Sequence, residues 1–97
     1  MKITKSKEGK LFSDKVKDDV VEIFSKIGAF IPRLIQHEDE LYLDIRIFYT
    51  NQDDRLAPTG KGIRMNLRNV RGLYKTMRSV KKFLEEQALW DDIGDAE

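Results

Sequence analysis

Cysteine is absent from the 97 residues, which excludes a disulfide framework and any thiolate metal site. Histidine occurs once, at His37, so Cys/His nucleophilic chemistry and most imidazole metal chemistry are excluded as well. No apolar run approaches the ~20 residues that a membrane helix needs. The opening MKITKSKEGK has no apolar core of a signal peptide, and the expectation is a soluble intracellular protein. Gly60-Lys61-Gly62 lacks the following Ser/Thr that a phosphate loop uses to hold magnesium. Asp53-Asp54 is turn chemistry, since nothing near it completes an oxygen shell. The expectation is therefore no enzyme, no cofactor and no metal.

The scarcity that informs most is of acid. Residues 55–84 hold nine cations, Arg55, Lys61, Arg64, Arg68, Arg71, Lys75, Arg78, Lys81 and Lys82, and no carboxylate. Residues 85–97 hold six acids and no cation, which conceals the basic block inside a net charge of +1. A local positive field of this kind suits an anionic partner whatever the overall charge. A chain this short buries a modest share of its surface alone, so self-association is expected.

From Leu41 to Tyr49 the residues alternate. Leu41, Leu43, Ile45, Ile47 and Tyr49 share one face, read as the core face, and Tyr42, Asp44, Arg46 and Phe48 share the other. After the acidic turn Asn51 to Asp54, the run Leu56 to Met65 contains Pro58, which donates no ladder hydrogen bond, and reads as an edge strand with a bulge. Ile27 to Gln36 reads as another strand, which Pro32 confines to an edge or forces into a bulge. Gln36 to Glu40 reads as the turn between them. Asn66 is placed to cap a helix in which Val70, Leu73, Met77, Val80 and Leu84 recur at spacings of three and four, with cations off that seam. Gly72 inside this helix suggests close packing there. Upstream, Val16, Val20, Ile23, Phe24 and Ile27 fit a helical stripe that Ser13 or Asp14 is placed to cap.

The strand Asp44-Ile45-Arg46, the acidic turn, and then Pro58, Lys61-Gly62-Ile63 and Asn66 before a helix resemble the C-terminal domain of the transcriptional positive cofactor 4 family, over roughly Ile27 to Glu86. The resemblance implies an α+β fold, a curved four-stranded antiparallel sheet followed by one long C-terminal helix. It implies a homodimer formed through the helices, and binding of single-stranded DNA without sequence preference. It also places strand near Phe24 to Gly28, where the periodicity admits helix; helix or loop is favoured only up to about Val20. The division expected is an N-terminal arm over 1–20, mobile or a short helix, a binding domain over 21–88, and an acidic tail over 89–97 in which order fades past Ala88. At the hairpin tip His37 stands near the family's aromatic and acids replace its lysines.

Single strands are held by aromatic faces that stack on bases and by cations that follow the backbone. Arg46, Lys61 and Arg64 are the expected phosphate contacts and Phe48 or Tyr49 the expected stacking ring, with Arg33 and His37 as further contacts. The seam from Val70 to Leu84 is the expected dimer interface, and the tail around Trp90 an expected contact for partner proteins. Alternatives are a transcriptional coactivator bridging DNA and transcription machinery, and an RNA-binding or protein-interaction module. The lack of a Ser-rich arm favours replication, recombination or repair in a bacterium or a phage-infected host.

Overall fold

The computed structural model describes residues 11–94; the lysine-rich opening and the last three residues of the acidic tail lie outside the described residues. Four strands, β1 (Asp19–Ile23), β2 (Phe30–His37), β3 (Glu40–Thr50) and β4 (Leu56–Asn66), form one antiparallel sheet in chain order, and α1 (Leu67–Glu86) follows β4 without a loop. This is the four-stranded open sheet and single C-terminal helix expected from the sequence.

β1 replaces the helical reading of its segment. Its two consecutive valines fit a bulge: Val20 pairs with Ile35 and Glu22 with Leu34, leaving Val21 extra, and both valines are buried. The core therefore reaches into the expected arm, where Phe12 is also buried and Ser13 N–H donates to the Leu56 carbonyl. Pro32 lies in an inner strand, not at an edge, opposite Ile45. Its carbonyl accepts from the N–H of Phe24 opposite it, but proline has no N–H to return the second bond of that pair, and β1 ends one residue earlier, at Ile23. β4 is the edge strand with a bulge that Pro58 predicts, residues 59–61 facing Ile47 alone.

The β2–β3 turn is shorter than Gln36 to Glu40. His37 pairs with Glu40, leaving Glu38 and Asp39 at φ 49° and 67° as a two-residue type I′ turn. In the loop before β4, the Asn51 side-chain carbonyl accepts from the N–H groups of Asp53 and Arg55 at 2.9 and 3.0 Å.

Asn66 caps α1 as expected, accepting from Asn69 N–H at 3.0 Å. The helix ends in a Schellman motif: Leu89 N–H donates to the Leu84 carbonyl at 2.8 Å, Ala88 N–H donates to that of Glu85 at 3.0 Å, and Ala88 sits at φ 57°. Past Ala88 this reversal leads into a 3-10 turn at Trp90–Asp92. A Cβ added at Gly72 meets nothing within 4 Å, so among the described residues no close packing explains that glycine.

The packed side of β3 is the reverse of the expected one. The buried residues Phe12, Ile31 and Phe48 cluster on the Asp44 face, while Leu41, Leu43, Ile45 and Ile47 are only half-buried and no residue of α1 is buried. The radius of gyration, 15.5 Å, exceeds the roughly 13 Å of a compact domain of this size. The described residues leave an apolar sheet face and an apolar helix seam uncovered.

Candidate nucleic-acid interface

Antiparallel pairing brings Arg33 opposite Asp44, Asp44 opposite Arg64, and Arg46 opposite Gly62, so three arginines converge on one carboxylate. Asp44 is fully buried. It accepts from Arg46 Nη2 at 2.9 Å and Nε at 3.2 Å, from Arg33 Nη2 at 3.1 Å and from Arg64 Nε at 3.1 Å. Asp18 completes the group, accepting from Arg33 at 2.8 Å and Arg64 at 3.1 Å. Burial pushes the Asp44 carboxyl up, but the hydrogen bonds from Arg46 and Arg33 outweigh it and hold the group below its ordinary value. For Arg64, partial burial opposes the charge, yet Asp18 and Asp44 raise it above its ordinary value. Three guanidinium groups against two carboxylates leave the cluster with one net positive charge.

Two expected contacts change role. Arg33 is 1% exposed, and its Nε and Nη1 have no hydrogen-bond partner. Its guanidinium instead lies 5.1 Å from the Phe48 ring centre and 5.6 Å from that of Phe12, whose π faces stabilise the buried cation. No phosphate reaches it there. Phe48 is 6% exposed with the Phe12 ring centre 5.2 Å away, so it is a core ring and cannot stack on a base while Phe12 covers it. The period-2 pattern finds its face correctly; what covers that face comes from the N-terminal segment, which strand periodicity does not report.

The remaining candidates are accessible but not all on one surface. Arg46 and Arg64 are partly exposed at the edge of the cluster. Lys61 projects from the β4 bulge, where Arg46 Nη1 donates to the Thr59 carbonyl at 3.2 Å, Thr59 Oγ1 donates to the Ile47 carbonyl at 2.8 Å, and Lys61 N–H donates to that hydroxyl at 3.1 Å. Its ammonium has no ion-pair partner among the described residues. His37 is exposed beside the hairpin tip, and Tyr49 is exposed on the opposite face of β3, where it borders a shallow depression with Lys15 and Asn51. The ring that does share the Arg46 and Arg64 face is Tyr42, four residues before Arg46, and sequence reasoning did not single it out as a contact. Its hydroxyl donates to Glu40 at 2.9 Å, and that hydrogen bond pushes the tyrosine proton's pKa up.

Residues 36–76 match the family model described as Transcriptional Coactivator p15 (PC4). This stretch is PC4-like. The resemblance read from the sequence is thereby shown over a span narrower than Ile27 to Glu86, from the end of β2 through β3 and β4 to the first half of α1. Comparison with curated proteins and with solved structures found no match. The PC4 match contains Tyr42, Asp44, Arg46, Lys61 and Arg64; Asp18 and Arg33, which fix the arginines in place, lie outside it.

Proposed function

We propose that the chain binds single-stranded or unpaired DNA without sequence preference, as a homodimer, and performs no covalent chemistry. The observation that carries this reading is the coincidence of the PC4 match with the partly exposed edge formed by Tyr42, Arg46, Lys61 and Arg64. Asp44 holds Arg46 and Arg64 in fixed orientations, so little side-chain entropy is lost when they meet phosphates, and Lys61 adds an unpaired charge. Tyr42 supplies the stacking ring in place of Phe48. A second reading, a coactivator that brings DNA and transcription machinery together, is supported by the family's description. Replication, recombination and repair are further processes that such binding serves inside a cell.

Competition between single-stranded DNA, duplex and RNA of equal length tests the reading, with single-stranded DNA expected to bind tightest and equal affinity for duplex overturning it. The logarithm of affinity should fall with the logarithm of salt by about 0.7 per phosphate neutralised. Lys61→Ala should flatten that slope. Tyr42→Ala should weaken binding about tenfold or more with the slope kept.

A further inference from the structure

Arg71, Lys75, Arg78 and Lys82 recur along α1 at spacings of four, three and four, which places them on one side of the helix. All four are exposed, and none has a carboxylate partner among the described residues. Lys75, Arg78, Lys81 and Lys82, with Tyr74 and Glu85, line a shallow groove on that side. Four unpaired cations held on a rigid helix repel one another, and an extended polyanion relieves that repulsion.

The chain supplies a small polyanion of its own. The Schellman reversal at Ala88 brings Trp90 back along the helix, so that the Lys81 ammonium stands 5.2 Å from the indole ring centre, and Asp91 and Asp92 follow in the same 3-10 turn. An aromatic plane on a lysine with two carboxylates beside it has the chemistry of a base with its phosphates. We propose that this groove is a second phosphodiester-binding surface, which takes up the strand as it leaves the sheet, and that the Trp90-Asp91-Asp92 turn is a tethered competitor displaced from Lys81 when the strand arrives. The proposal rests on the DNA-binding reading above and extends it to the helix.

Trp90 is the sole tryptophan, so its fluorescence reports the displacement directly. Titration with a single-stranded oligonucleotide should change that emission in the natural protein. It should not do so in the variant Arg71→Gln, Lys75→Gln, Arg78→Gln, Lys82→Gln, whose salt slope should be shallower by up to about 3. The variant Trp90→Ala, Asp91→Asn, Asp92→Asn should bind several-fold tighter at low salt and equally at high salt, where the Debye length shrinks to about 3 Å. Circular dichroism checks that both variants keep the fold. Wild-type affinity and slope in the glutamine variant overturn the helix surface, and unchanged emission together with equal low-salt affinity in the tail variant overturns the competitor. If Lys61→Ala still weakens binding in either case, the sheet reading stands without this one. If no form binds single strands, both fall.

Discussion

Gly62 stands opposite Arg46 at φ 155°, and a Cβ built on it would meet the Ile45 carbonyl oxygen and come within 2.6 Å of the Arg46 Cα. Both obstacles are backbone, so neither moves aside. Gly62→Ala should cost about 2–4 kcal/mol in denaturant unfolding and displace Arg46 from Asp44, whereas Gly60→Ala, where a Cβ meets nothing within 4 Å, should be far milder. Asp44 makes a pH prediction with a definite sign. Its folded-state pKa lies below the ordinary 3.8, so its stabilisation is fully present above that value and is lost as pH falls through the lowered pKa. Acid unfolding midpoints should show this loss below about pH 4, and Asp44→Asn should remove the dependence while leaving the variant less stable at neutral pH. The alternation Tyr42, Asp44, Arg46, Phe48 was legible in the sequence because a strand's period shows in consecutive letters. That Phe48 and Arg33 are covered was not, because Phe12 and Asp18 reach them from another part of the chain.

At the level of elements, α1 and the bulged edge strand β4 were legible because each has a local cause, the Asn66 cap and the missing Pro58 donor. β1 was ambiguous because Val16, Val20, Ile23 and Phe24 satisfy a helical stripe, while the bulge at Val21 breaks the alternation that marks a strand. Pro32 misled for a related reason: it sits where β1 gives out, so the one ladder bond it fails to donate falls at the end of that strand and not in its middle. The β2–β3 hairpin carries a correctable strain. A type I′ turn requires positive φ at both central residues, and Glu38 and Asp39 hold those places where Asn-Gly is preferred. The double substitution Glu38→Asn, Asp39→Gly should raise stability by about 0.5–1.5 kcal/mol. A rise in the urea midpoint with an unchanged m-value would show that the gain lies in the turn.

At the scale of the whole molecule, the proposed homodimer rests on apolar surface. Ile27, Phe30, Ile45 and Ile63 line an apolar groove around Gly62 on the sheet face opposite Asp44, and along α1 Met77 and Val80 are exposed while Val70, Leu73 and Leu84 are half-buried. Among the described residues nothing covers these two apolar surfaces, and surfaces of this kind suit the contact that the proposed homodimer requires. A second copy offers a seam of matching length and chemistry, which is the dimer the helix spacing suggests. Because Met77 is 54% exposed in the single chain, a lysine there disturbs no packing within it and costs little unless another chain covers the seam. Met77→Lys should therefore leave far-ultraviolet dichroism unchanged while converting a dimer to monomer in sedimentation at micromolar concentration, since burying the new charge costs several kcal/mol. The natural protein should melt at a temperature that rises with concentration, and the variant should melt lower with no such dependence. A monomeric natural protein, or a variant that still dimerises, would require the seam to face something other than its mate.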